Sequence, residues 1–247
     1  MPFDTLSPEL REALRARGIT EPTEPQADAI PKIAAGLNVL LVAPTGIGKT
    51  EAAVLPVLNS LIREKDGKGF RCLYITPLRA LNRDMLKRIE EYSAAAGISA
   101  GVRHGDTSQS ERNAQSRKPP QILITTPETL QVLFTGKVLR QHLKNVKWVI
   151  IDEIHELADN ERGAQLSVAL ERLALIAGEF QRIGLSATVG DVDEVKNYLS
   201  GIGRKVTVCR HDTHRDYDIT VECPAPETDS VLLDKLQTDP EMLGVMV

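Results

Sequence analysis

The apolar positions of this chain fall into short runs separated by longer stretches with helical periodicity. Residues 39–42 (Val-Leu-Leu-Val), 72–76, 121–125, 148–152 and 182–185 are dominated by aliphatic residues, as in strands buried on both faces of a parallel sheet. Residues 99–103 and 206–208 read as two weaker strands. Helices are expected over 6–17, from Gln26 onward and over 51–63. Ser7 and Pro8 start the first and Gly18 ends it, whereas Pro56 should kink or locally break the third. In a further helix, Leu78, Leu81, Met85, Ile89 and Tyr92 share one face, and Arg79, Arg83 and Lys87 recur four apart on another. Strands alternating with helices predict an α/β fold, a mostly parallel sheet flanked by helices on both faces. Right-handed crossovers would gather its functional loops at the C-terminal edge of the strands.

Bulk composition narrows the function classes. The 247 residues, 42% hydrophobic and 26% charged, suffice for one large α/β domain or two small ones. A net charge of −4 excludes blanket attraction to nucleic acid, so any such binding must use a local basic surface. Cys72, Cys209 and Cys223 show no C-x-x-C spacing, which argues against a disulfide framework or a zinc site. His104, His142, His211 and His214 read as ordinary residues, since the H-x-x-H at 211–214 lacks a third ligand. With no secretory signal and no apolar stretch long enough to span a bilayer, no membrane partner and a cytoplasmic location are expected.

Chemistry concentrates at Ala43-Pro44-Thr45-Gly46-Ile47-Gly48-Lys49-Thr50, between the strand at 39–42 and the helix from Glu51. A tight loop running into a helix N-terminus points backbone N–H groups and the helix dipole into one concavity that suits phosphates. Gly46 and Gly48 allow positive φ and close approach, Lys49 would reach the β- and γ-phosphates, and the Thr50 hydroxyl would ligate Mg²⁺. Ala43 stands where this phosphate-loop pattern usually has its first Gly. Upstream, a Pro-rich turn delivers Gln26, whose amide suits the N6/N7 edge of adenine, and Phe3 could add an apolar contact to the base. Asp152 and Glu153 follow the buried strand at 148–151, where a carboxylate pair calls for a cation. Asp152 would hold Mg²⁺ through water, and Glu153 would position and polarise the attacking water. The expected ligands are ATP and Mg²⁺.

Three more loops follow strands: Thr76-Pro77-Leu-Arg79, Arg103-His-Gly105-Asp106 and Thr125-Thr126-Pro127-Glu128. Their hydroxyls, N–H groups and helix starts suit phosphate oxygens, a sequence-independent grip on single-stranded DNA or RNA.

Taken with Asp152-Glu-Ile-His155 and Leu185-Ser-Ala-Thr188, these strings resemble the superfamily-2 helicases, specifically their first RecA-like motor domain, over almost the whole chain. Gln26 matches the Q motif, 43–50 motif I, 76–81 motif Ia, 125–128 motif Ib, 152–155 motif II and 186–188 motif III. The resemblance implies that His155, Ser186 and Thr188 couple the nucleotide site to strand separation. Residues 152–173 and 184–190 look like the Lhr (large helicase-related) group, with Ski-like helicases the nearest rivals. It also implies a second RecA-like domain that supplies an arginine finger, and nothing after Thr188 matches its motifs. The expected division is 1–210 as the first motor domain, 211–228 as a linker and 229–247 as the start of a truncated second domain. The chain alone is expected to bind Mg-ATP and turn it over very slowly. A nucleotide-gated clamp without strand separation would use the same residues. A P-loop kinase would need an acceptor pocket, for which no signature exists.

Overall fold

Seven strands form one wholly parallel sheet in the computed structural model, which describes residues 2–64, 67–77, 83–187 and 190–212. They are β1 (Val39–Val42), β2 (Cys72–Ile75), β3 (Ala100–Arg103), β4 (Ile122–Thr125), β5 (Trp148–Ile151), β6 (Gln181–Ser186) and β7 (Thr207–Arg210), ordered β3-β4-β2-β5-β6-β1-β7. The central strands β1, β2, β4 and β5 are buried throughout, because helices cover both faces. The two weaker runs are the edge strands β3 and β7, and β7 sits one residue later and runs further than the sequence pattern indicates.

The pleat divides the core in two. Val39, Leu41, Cys72, Tyr74 and Ile150 face α1 (Pro8–Ala16), α2 (Glu24–Ala34), α3 (Lys49–Arg63) and α4 (Arg83–Ala95). Leu40, Val42, Leu73, Ile75 and Ile151 face the second set. This comprises α6 (Pro127–Thr135), α7 (Lys137–Leu143), α8 (His155–Ala158), α9 (Glu161–Ala177) and α10 (Val192–Ser200). Between β3 and β4 lies α5 (Gln109–Arg117), which buries none of its residues.

Local chemistry explains the helix ends. The Ser7 hydroxyl accepts from the Leu10 N–H to start α1, and Ser108 and Glu111 cap α5 reciprocally. The structure corrects the expected break at Pro56. Helix α3 begins at Lys49 and runs through Pro56 to Arg63 as one helix. Leu55, Pro56, Val57 and Leu58 are all buried, so packing of this segment outweighs the one hydrogen bond that a prolyl ring removes. Cys72 and Cys209 are buried free thiols, and Cys223 lies outside the described residues.

The chain divides into two units, Met1–Thr213 and His214–Val247. The second lies outside the described residues, as do nearly all of the expected linker and the whole tail at 229–247. Among the described residues no helix is long and apolar enough to cross a membrane.

Candidate active site

Because every strand is parallel, the loops after β1, β2, β5 and β6 emerge along one sheet edge. Backbone bonds then stitch them together. Ala43 N donates to Ser186 O (3.1 Å), Ile154 N to Leu185 O (3.0 Å) and Asp152 N to Ile75 O (2.8 Å). The phosphate-loop candidate lies at one end of this row, since β1 is flanked by β6 and by the edge strand β7.

Gly46 and Gly48 take φ of 79° and 86°, and a Cβ on Gly48 would run into the Gln26 amide. Helix α2 is laced to this loop. Gln26 Nε2 donates to Gly48 O (3.1 Å), Thr23 Oγ1 donates to Ile47 O (3.0 Å), and Gln26 Oε1 accepts from Thr23 N (3.1 Å). Lys49, the first residue of α3, is 7% exposed and donates from Nζ to Ala43 O (2.7 Å) and Pro44 O (3.2 Å). Burial pushes the Lys49 ammonium below its ordinary pKa, against the opposing pull of Glu153 and Asp152.

The resulting cavity, about 510 Å³, is lined by residues 45–51 together with Gln26, Asp152 and Glu153. Its volume falls within the roughly 300–1,000 Å³ of small-molecule sites. Ala43 and Pro44 do not line it; they serve as acceptors for Lys49. Phe3 is a correction. Its ring is 7% exposed in the apolar core and borders a smaller cavity, while Ile19 lines both and supplies the apolar wall beside Gln26. The other lining residues that sequence reasoning passed over are Thr23, Met85 and Arg88.

Asp152 is 8% exposed, and both of its oxygens are held. Oδ2 accepts from the Tyr74 hydroxyl (2.5 Å) and Oδ1 from Glu153 N (2.9 Å). Burial raises the pKa of both carboxyls, and the charge of Asp152 raises that of Glu153 further, while Lys49 pulls both down. Glu153 has φ of 47°, the one non-Gly residue with positive φ among the described residues, a left-handed conformation that costs an L-residue roughly 1–2 kcal/mol. Here the strain aims a carboxylate into the cavity at its acidic end.

These residues fit Mg²⁺ bound together with a polyphosphate. Among the described residues no group of three or more His, Cys, Asp or Glu could hold a metal by itself. The Thr50 hydroxyl and Asp152 are instead a sparse oxygen set, which suits an ion completed by phosphates and water.

Tyr74 was not legible as a site residue. Its strand neighbour β5 puts it in register with Ile150, two residues before Asp152, but that pairing is not written in the local sequence. Tyr74→Phe removes only the hydroxyl that holds Asp152. The Mg²⁺ concentration giving half-maximal ATP binding should rise at least about tenfold, as for other outer-shell partners of metal ligands. An unchanged Mg²⁺ titration would show that Asp152 needs no such support.

His155 opens α8 and joins this centre to the loop after β6. Its Nδ1 accepts from Ala187 N (3.3 Å) and lies 3.6 Å from Glu153 Oε2. With Nδ1 accepting, the neutral ring carries its proton on Nε2, and burial lowers the pKa of His155 in keeping with that form. Ser186 is fully buried and donates from Oγ to Ala187 O (2.8 Å). Thr188 lies outside the described residues.

The loops after β3 and β4 border a second groove of about 490 Å³, lined by Gly105, Thr126 and Glu128 and by Arg103, Arg112 and Arg162. Arg112 donates to Gly105 O (2.6 Å) and Thr107 O (2.8 Å), which fixes the loop; Arg103 is 6% exposed. Thr126 caps α6 through Thr129 N, and Glu128 pairs with Arg162 at 2.5 Å. Pro77 and Pro127 are buried, so they shape their loops from within, and Asp106 does not line the groove. Arg79 lies outside the described residues. Arg112 and Arg162 went unrecognised because they come from separate elements and join the Arg103 loop only in the fold.

Residues 23–195 match the family model of the DEAD/DEAH box helicases. The chain belongs to that family. It is 42% identical over 241 residues to the ATP-dependent helicase Lhr-Core of Methanothermobacter thermautotrophicus, an alignment covering 90% of this chain and 27% of the relative. To the Lhr helicase/uracil glycosylase of Escherichia coli it is 39% identical over 249 residues, or 92% of this chain and 16% of that protein. Among solved structures, the Mycobacterium smegmatis helicase Lhr bound to ssDNA and AMP-PNP superposes with a TM-score of 0.78 and 36% identity, over 96% of this chain and 32% of that one. The chain thus spans about a quarter or less of the length of these curated relatives. As a DEAD/DEAH box helicase domain, it is an ATP-binding domain.

Proposed function

We propose that this chain is the ATP-binding half of a cytoplasmic, ATP-driven helicase that moves along single-stranded DNA or RNA. One observation carries the reading: Lys49, Thr50, Asp152 and Glu153, from loops after two different strands, line a single cavity whose floor is a helix N-terminus. In this reading Lys49 leaves the Ala43 and Pro44 carbonyls to meet the β- and γ-phosphates. Residues 45–50 offer backbone N–H groups to the phosphate oxygens. Thr50 and, through water, Asp152 would hold Mg²⁺, which when bound would supply charge neutralisation at those oxygens. Glu153 holds the attacking water in line. His155, bonded to Ala187, passes the state of this centre to the loop after β6.

The groove with Arg103, Arg112 and Arg162, together with the loop from Thr76, is the proposed backbone grip. Support comes from its cationic lining in a chain of net charge −4 and from the ssDNA in the M. smegmatis Lhr structure. A second RecA-like domain would close over the nucleotide and bring an arginine finger, which is worth ~10³–10⁵ in rate. The chain alone should therefore bind Mg-ATP and hydrolyse it very slowly. ATP turnover, measured with and without oligo-dT and oligo-U for this chain and for one extended through the next domain, tests the whole reading. Fast, polymer-stimulated turnover by the short chain would overturn the two-domain requirement. Stimulation without strand displacement would identify a nucleotide-gated clamp.

A further inference from the structure

An acidic side chain stands inside the proposed backbone grip, where it should repel a phosphate. Glu128 lines that groove beside Arg103, Arg112 and Arg162, and it is the second residue of α6. Its Oε1 accepts from Arg162 Nε at 2.5 Å, across 34 residues of sequence. Burial would raise the Glu128 pKa, but Arg162, the Glu128 N–H and Thr126 outweigh it and hold the carboxyl below its ordinary value. At neutral pH the groove therefore contains a carboxylate already seated on one of its cations.

Arg162 is likewise the second residue of its helix, α9. A cation there opposes the helix dipole, whereas an anion at the start of α6 is favoured, so an anion lying between the two helix starts is stabilised from both sides. Both backbones are fixed. Thr126 Oγ1 accepts from Thr129 N (3.3 Å) at the start of α6, and Asn160 Oδ1 accepts from Gly163 N (3.1 Å) at the start of α9. A Cβ on Gly163 would strike the Leu157 carbonyl, and the Tyr198 hydroxyl donates to Gly163 O (2.9 Å), which sets α9 tightly against α8 and α10. The two side chains are freer, 50% exposed for Glu128 and 43% for Arg162. Among the described residues the Arg162 side chain makes this one hydrogen bond, so its terminal N–H groups stay open. A phosphate could take two parallel bonds from the same guanidinium.

We propose that Glu128 is a resident anion of the grip: it holds Arg162 while the groove is empty and yields it to a backbone phosphate when nucleic acid enters. This rests on the reading of the groove as the grip. The exchange needs only two exposed side chains to move on fixed helix starts. Its consequence is a weaker, more releasable hold, which suits a motor that must let go of the strand as it moves.

The test is equilibrium binding of fluorescent oligo-dT and oligo-U, over a range of salt, to the full-length protein carrying this domain. Glu128→Gln should tighten binding about three- to fivefold at low salt, the range of an exposed ion pair, with the gain fading as salt rises. Arg162→Gln should weaken binding and flatten the slope of log affinity against log salt by about 0.7, one phosphate contact on a single strand. Adding Glu128→Gln to Arg162→Gln should then change affinity by less than about twofold, because the contested cation is gone. An equal gain in both backgrounds would make Glu128 a plain repulsive charge and overturn the exchange. So would weaker binding by Glu128→Gln, which would make the carboxylate a direct contact to sugar or base. If the unmodified protein binds neither polymer, the grip reading fails first, and the failure is seen before any variant is made.

Discussion

Glu153→Gln, in a protein containing both motor domains, should keep Mg-ATP affinity within about threefold while cutting ATP turnover by roughly 10²–10⁴, the usual contribution of a positioned general base. The two side chains are nearly isosteric, so the left-handed backbone at Glu153 and the bond from its N–H to Asp152 Oδ1 should persist. What disappears is the charge that orients and polarises water. Single-turnover hydrolysis alongside equilibrium binding of ATP separates the two effects. Turnover within a few-fold of the parent would remove Glu153 from the water-activating role and leave Asp152 and Glu51 as the other carboxylates lining the cavity.

Lys49→Ala should act on binding. A charge-assisted hydrogen bond contributes about 1.5–3 kcal/mol, so ATP affinity should fall roughly 10–100-fold, measurable by titration with a fluorescent analogue. Undiminished affinity would show that backbone N–H groups alone hold the phosphates. The same variant has a stability signature. Lys49 lowers the pKa of both Asp152 and Glu153, which burial has raised. Without it both rise further, and a carboxyl with a raised folded-state pKa loses folded-state stability as pH climbs through that value. The gap in thermal midpoint between parent and variant should therefore be small near pH 4 and widen toward pH 8.

How far the chain could be read before folding depended on the reach of each interaction. Residues 39–50 were legible because strand, phosphate loop and helix start are contiguous, and the observed β1 and the Gly48-to-Lys49 helix start follow that reading closely. The alternation of Val39 and Leu41 against Leu40 and Val42 is silent in a fully apolar run, so the two cores could not be divided in advance. Tyr74 and Arg88 escaped notice because their partners lie 78 and 37 residues away, across strand register and helix packing. Phe3 was assigned to the base by its position upstream, but burial of its ring in the core took precedence. Pro56 carried a local signal for a break that a buried helix overrode. Pro77 and Thr126 were correctly placed on loops at the strand edge, where Pro127 already opens α6, yet sequence alone could not tell a residue that faces a groove from one that shapes it from beneath.

The lacing of Gln26 bears on which base the domain can accept. Its amide is pinned in one polarity, with Oε1 committed to the Thr23 N–H and Nε2 to the Gly48 carbonyl. One N–H and one lone pair are left over, a donor and an acceptor in fixed order. Adenine presents the complementary order at N7 and N6, whereas guanine presents two acceptors at N7 and O6. An unpinned glutamine could flip to soften that mismatch. Here a flip would forfeit both tethers, on the order of 1 kcal/mol each. Under the reading of Gln26 as a base contact, discrimination between purines would reside in the rigidity of its amide as much as in the contact itself, and the helix that carries this amide is the same one that steadies the phosphate loop.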